Sequence, residues 1–231
     1  MNLKTKEIPP YKAPERISVE ERLPDLFHTQ FIPAIPAIDG FFNPLLIQPR
    51  IASIAKELNH QADEVQRTFS EMQQMLNTPT NPIAYKDLVT KHIITIEITI
   101  FLMKQLMNAL IQLLYIKNNF QKFSQTLQLD VSELGDFIHD EEHPFANDTL
   151  KLTENERNLL KTINDLHNSY KHCLLTPEST SQIGIYEPTI NAYYARKNDF
   201  SKTIKIYTER FNEIWIGFLL LFKEKYPLLT N

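Results

Sequence analysis

Three observations predict an all-α fold for this chain: a bundle of four long helices with short extra elements, wrapped by an irregular proline-rich N-terminal arm. Apolar residues recur at alternating spacings of four and three in four long segments, which is the period of a helix buried along one face. Only 4 glycines occur, Gly40, Gly135, Gly184 and Gly217, far below the average share of about 7%, and what remains is a mostly helical reading. Eight of the 14 prolines fall in the first 50 residues, which separates an arm over 1–49 from a helical body over 50–231.

The arm is irregular but not simply solvated. In Phe31 to Ile38, Ile32, Ile35 and Ile38 recur every third residue, and a polyproline II helix puts them on one face. That face is expected to dock on the chain's own body, or, as a swapped arm, on a second subunit.

The first helix is expected over about Pro49 to Asn77, opened by Pro49 and striped by Ile51, Ile54, Leu58, Val65, Phe69, Met72 and Leu76. The second, about Pro82 to Thr126, carries Val89, Ile93, Ile96, Ile100, Met103, Met107, Leu110 and Leu114. Its other faces are also apolar, so it should be the buried centre. Residues Ile93 to Phe101 alternate like a strand, yet the helical stripe runs through them in phase, and helix is expected there. The third, about Thr153 to Leu175, opens on Thr153 and Glu156 as a capping box and carries Leu159, Ile163, Leu166, Tyr170 and Cys173. The fourth is expected over about Phe200 to Lys225, striped by Phe200, Ile204, Tyr207, Phe211, Ile214, Phe218 and Leu221. Thr176 to Asp199 reads as irregular.

Composition narrows function mainly by exclusion. The chain has 231 residues, 42% apolar and 23% charged, with 24 Lys+Arg against 28 Asp+Glu for a net charge of −4, an ordinary folded composition. The glycines are too dispersed for a GxGxxG or Walker loop, and one cysteine, Cys173, makes neither an internal disulfide nor a cysteine metal cage. The start shows no apolar stretch of signal-peptide kind, so the expectation is a cytoplasmic protein. Ile93 to Ile116 is the most membrane-like run, but Glu97, Lys104 and Gln105 interrupt it, and no membrane crossing is expected.

The segment Asn164 to Pro177 is the most informative for chemistry. At about 100° per residue, Asn168 and His172 share a helix face with Arg157, Lys161 and Asn164, opposite the apolar stripe. His167 lies near the stripe's edge, far around the helix from His172, so the two imidazoles need a second helix or subunit to complete one site. A bland alternative stays open: Lys171 and His172 oppose the macrodipole near the helix end, and Asn168 is a solvated residue.

The run His167-Asn168-Ser169-Tyr170-Lys171-His172, on the third of four expected helices, resembles the HEPN superfamily. Those are helical bundles that often dimerise and occur in toxin–antitoxin, phage-defence and RNA-processing systems. Active members carry an arginine, a polar residue and then a histidine; two copies meet across the dimer and cleave RNA without metal. Asn168 matches the polar position and His172 the histidine, while His167 stands where the family has arginine. The resemblance implies a homodimer of a bacterial conflict or stress system, either a cofactor-free endoribonuclease or an RNA-binding degenerate member. It assigns His172 as base, His167 of the other copy as acid, Lys171 to the phosphate and Asn168 to orienting an imidazole. Losing the arginine removes the planar fork that grips phosphate best. The rival reading is a non-catalytic helical interaction module, such as an antitoxin or defence-complex subunit, that binds a protein partner encoded nearby.

Two further patterns bear on partners. Tyr193 to Arg210 holds Arg196, Lys197, Lys202, Lys205 and Arg210 against Asp199 and Glu209, interleaved with Tyr193, Tyr194, Phe200 and Tyr207, which suits single-stranded RNA by stacking and phosphate contact. The competing explanation is a solvated, core-striped helix. His139-Asp140-Glu141-Glu142-His143 satisfies HxxEH, a zinc-protease pattern whose ligands His139 and His143, with Glu142, converge only on a stable helix. An acidic surface turn is the simpler reading, and Asp130 to Glu142 contributes six acids that are expected to pair with the basic region Tyr193 to Arg210, in the fold or in a partner.

Overall fold

A computed structural model describes residues 5–13, 18–26, 35–38, 40, 42–77, 81–172, 187–195 and 204–229. Strand β1 (Thr5–Ile8) is followed by α1 (Pro44–Leu76), α2 (Pro82–Asn118), α3 (Phe120–Thr126), α4 (Glu154–His172), β2 (Thr189–Ala195), β3 (Ile204–Arg210) and α5 (Phe211–Lys225). The fold is therefore mostly helical but not all-α. A three-stranded mixed sheet in the order β1-β3-β2 pairs β1 parallel to β3, with Thr5 opposite Ile204, and β2 antiparallel to β3, with Thr189 opposite Arg210.

The sheet corrects three expectations at once: the arm begins with a strand, the irregular segment contains one, and the first part of the fourth helix is a third. The stripe misled because Ile204 and Tyr207, three apart, are both buried, which mimics a helical period. In the central strand of a sheet, residues three apart lie on opposite faces, and both are buried when both faces are covered, so alternation is lost. Ile204, Ile206, Tyr207 and Thr208 are also residue types that favour a pleated surface.

The helices hold better. α1 starts earlier than expected because Asn43 caps it, its carboxamide oxygen accepting from the Leu45 amide at 3.0 Å, and Pro44 rather than Pro49 occupies the opening turn. Ile93 to Phe101 is helical, and the long second helix is interrupted only at Asn119 before α3 continues to Thr126. The capping box forms at α4, where the Glu156 carboxylate accepts from the Thr153 amide at 2.7 Å and the Thr153 hydroxyl accepts from the Glu156 amide at 3.3 Å. α2 is long and apolar enough to cross a membrane, but half of its most apolar stretch is buried inside the fold. Its central and C-terminal turns form the core, from Ile96 to Ile116, while Ile83, Ile94, Ile98 and Phe101 remain exposed.

The arm is part of the core. Tyr11, Leu23, Leu26, Ile35 and Phe42 are buried with the helices, whereas Ile32 lies outside the described residues. Polar staples hold it: the Tyr11 amide donates to Glu209 Oε2 at 2.7 Å, the Ala13 amide to the Glu213 carboxylate, and the Trp215 indole to Glu21 O at 3.2 Å. The Tyr11 side chain lies directly on Gly217 of α5, where a Cβ would stand 2.7 Å from both a ring carbon and the phenolic oxygen. A Gly217→Ala substitution therefore displaces Tyr11 and should lower stability by about 1–3 kcal/mol despite alanine's better helix propensity. Thermal unfolding checks this. In a Tyr11→Ala background the same substitution should cease to destabilise, because the two residues are coupled through contact.

Candidate functional site

Glu97, Phe101 and Lys104 of α2 stand four and three residues apart, which aligns them along one face of the helix. α4 packs beside that face and presents His167, Asn168, Tyr170 and Lys171. The result is a cluster at one end of an apolar groove of about 370 Å³ lined by Glu97, Ile98, Phe101, His167, Tyr170 and Lys171.

Lys104 is the centre of the cluster, and only 6% of its side chain is exposed. Its Nζ lies 3.4 Å from His167 Nδ1 and donates to Asn168 Oδ1 at 3.4 Å; His167 Nδ1 and Asn168 Oδ1 are 3.3 Å apart. The nearest carboxylate, Glu133, stands 3.8 Å away and is half exposed, so the ammonium is only loosely neutralised. The His167 ring stacks on Phe101 with centroids 5.6 Å apart and planes at 21°.

These surroundings shift each titratable group toward its neutral form. Burial lowers the Lys104 pKa, with the Lys171 ammonium adding to the effect and Glu133 opposing it. Burial also lowers that of His167, and the Lys104 ammonium beside it acts in the same direction. Glu97 moves the other way, because burial in the groove raises its carboxyl above the usual range. One groove thus holds an imidazole and a carboxyl whose neutral forms are both favoured by burial, two perturbed groups side by side. With Nδ1–H donating to Asn168, the opposite ring nitrogen keeps its lone pair.

Among the residues expected from the sequence, His167, Asn168 and Lys171 come together here. His172 ends α4, and its side chain lies outside the described residues. Asn168 is half-buried rather than solvated, and the polar face it was grouped with is partly covered, with Lys161 part-exposed. Arg157 is buried and donates to Asp140 O at 2.9 Å and Asn147 Oδ1 at 2.7 Å, and Asn164 is buried as well. Arg196, Lys197 and Lys202 lie outside the described residues. Lys205 pairs with the buried Asp165 at 3.0 Å and sits 5.6 Å from the Tyr194 ring centroid, so it is part of the sheet's own packing.

The HxxEH segment is a series of turns, so His139 and His143 do not share a helix face. His143 Nδ1 accepts from the Phe145 amide at 3.2 Å, while His139 Nε2 stands 3.5 Å from Asp165. Glu142 is exposed. Among the described residues no group of three or more His, Cys, Asp or Glu side chains is placed to hold a metal ion. Among the described residues, the acids of this segment pair with α2, α3 and α4, through Glu133–Lys104, Asp130–Lys122 and Glu141–Lys161.

Sequence reasoning missed Lys104, Glu97 and Phe101 as site residues. Their signal was present: two charges seven apart inside an otherwise apolar helix fall on one face, and buried charges need partners. No family model, no curated protein and no solved structure matches the chain.

Proposed function

We propose that the α2–α4 groove is an RNA site of HEPN-like kind, in a protein that acts on single-stranded RNA as a homodimer and cleaves it by acid–base chemistry without metal. The observation that carries this reading is the convergence of Lys104, His167 and Asn168 within 3.4 Å of one another beside Glu97, Lys171 and an exposed aromatic, Phe101. Three positive or potentially positive groups, Lys104, Lys171 and His167, against the loose carboxylate of Glu133 and a Glu97 whose neutral form is favoured, make a place where a phosphate relieves mutual repulsion. Phe101 and Tyr170 offer surfaces on which a base stacks.

The chemistry follows from the two shifted groups. His167 removes the ribose 2′-hydroxyl proton, the 2′-oxygen attacks phosphorus, and Glu97 gives its proton to the departing 5′-oxygen. The products are a 2′,3′-cyclic phosphate and a 5′-hydroxyl. Lys104 and Lys171 stabilise charge on the phosphorane, and Asn168 fixes the imidazole. This differs from the roles the resemblance implies, because an imidazole with a lowered pKa serves better as base than as acid. The exposed Ile94 and Ile98 beside the groove are where the second copy would sit.

Labelled single-stranded RNA incubated in excess chelator tests the reading. The wild type should cleave, His167→Ala and Glu97→Gln should each lose about 10²-fold or more, and His172→Ala reports whether the second histidine contributes. The rate should fall in acid as His167 gains a proton and fall in alkali as Glu97 loses one. No cleavage of several RNAs by the wild type, or equal cleavage by the variants, overturns it. The second reading, a non-catalytic interaction module, is favoured by the apolar ridge of Ile83, Ile94, Ile98 and Phe101. Loss of complex formation in Ile98→Asp without any RNA activity would support it.

A further inference from the structure

A second concave site lies on another side of α4, between the arm segment Lys6 to Lys12, α4 and β3. It is a cleft of about 490 Å³, within the ordinary range for small-molecule sites. Its walls carry Lys6, Lys12, Lys161, Lys205 and His139 against one carboxylate, Asp165. That carboxylate is already engaged: Tyr207 donates to Oδ2 at 2.5 Å and Lys205 at 3.0 Å. Lys161 reaches only the exposed Glu141, at 3.7 Å, and Lys6 and Lys12 form no ion pair among the described residues. Among the described residues, the cleft therefore holds a surplus of positive charge.

It also holds an unmet acceptor. Asp165 is 1% exposed, and its Oδ1 accepts no hydrogen bond, although His139 Nε2 stands over it at 3.5 Å. A buried acceptor without a donor is costly, and a ligand hydroxyl is a natural group to supply one. Asn155, Asn158 and Thr162 add further polar groups along the α4 wall, and Tyr11 and Tyr207 supply aromatic ones.

We infer that this cleft binds a small phosphorylated sugar, its phosphate held by Lys6, Lys12 and Lys161 and its hydroxyls by Asp165 and the α4 carboxamides. The two halves of the ligand match two separate features, surplus cations and an unpartnered buried oxygen, so a bare phosphate or a bare sugar satisfies only one. The site is independent of the RNA groove, which uses His167 and Lys171. The arm forms one wall, and a ligand spanning arm and α4 fastens the arm down.

Isothermal titration calorimetry on the full chain at low salt tests this with ribose 5-phosphate, inorganic phosphate and ribose as probes. Ribose 5-phosphate should bind at least about tenfold more tightly than either fragment. The double variant Lys12→Ala/Lys161→Ala should weaken it by at least about tenfold, whereas Lys86→Ala, an exposed lysine on α2, should leave it unchanged. Both altered lysines lie at the cleft wall and have no buried partner, so loss of folding does not confuse the result. No binding at about 10 mM, undiminished binding by the double variant, or inorganic phosphate binding as tightly as the sugar phosphate would overturn the inference.

Discussion

Lys104→Met is expected to leave the protein as stable as before, or more so, while reducing RNA cleavage by about 10²–10³-fold. Lys104 is almost fully buried, and its nearest carboxylate, Glu133, is half exposed at 3.8 Å. Taking an ammonium out of water is costly, and a loose partner returns little of that energy, which is why its pKa is lowered. Methionine is unbranched and of similar length, so it fills the same space without the charge. Removing the ammonium leaves Glu133 facing solvent and leaves His167 and Asn168 with each other, so no new buried charge is stranded. The same change deletes the cation nearest His167, and the imidazole pKa should move back up toward its usual value. The acid limb of the rate profile should shift to higher pH. Urea unfolding and the pH dependence of kcat/KM separate the alternatives: a large loss of stability with unchanged cleavage would make Lys104 a structural residue and remove it from the site.

The comparison of sequence and structure turns on what periodicity measures. Apolar spacing reports burial on one side of an element. It succeeded where helices are half-buried, as at Leu159, Ile163 and Leu166, which line the buried stripe of α4. It failed at Ile204 and Tyr207, because a strand covered on both faces has no single buried side to report. The strands of the arm and of the second segment were illegible for a different reason. β1 is four residues long and pairs with a strand some 200 positions away, so nothing local specifies it. The basic, polar face expected on α4 is partly covered, since turns between Val131 and Leu152 pack against it and Arg157 ties them down, which nothing local in the sequence signals. Half of the site was legible in His167, Asn168 and Lys171. The other half lies in charges that read, from sequence, as interruptions of an apolar helix. An interruption inside a core element is itself information, because Glu97 and Lys104 persist there only if the fold gives them an environment.

Two buried groups should give opposite and separable pH dependences of stability. Glu209 is fully buried on β3; burial pushes its carboxyl up from the usual 4.5 to about 7, although the Tyr11 amide bonds to it. Between those values the folded chain holds a proton that the unfolded chain has released, so stability falls as pH rises from 4.5 to 7, by on the order of 3 kcal/mol. His92 is buried between α1 and α2, its Nδ1 2.8 Å from the Thr68 hydroxyl, and burial lowers its pKa from 6.5 to about 4. There the unfolded chain binds the proton first, so stability falls as pH drops from 6.5 to 4, by a similar amount. The two slopes overlap and largely cancel in the wild type, whose own pH profile conceals both. Glu209→Gln keeps an oxygen for the Tyr11 amide but loses the ionisation. It should match the wild type near pH 4 and exceed it by up to about 3 kcal/mol at pH 8. His92→Gln should lose stability relative to the wild type near neutrality, through its altered packing, and recover part of that deficit as the pH falls to 4. Urea unfolding midpoints at intervals from pH 4 to 8 read both differences against the wild type. Parallel profiles for Glu209→Gln and the wild type would mean that the carboxylate of Glu209 is ionised without penalty, and that the arm is held at Tyr11 by a charge rather than by a neutral acid.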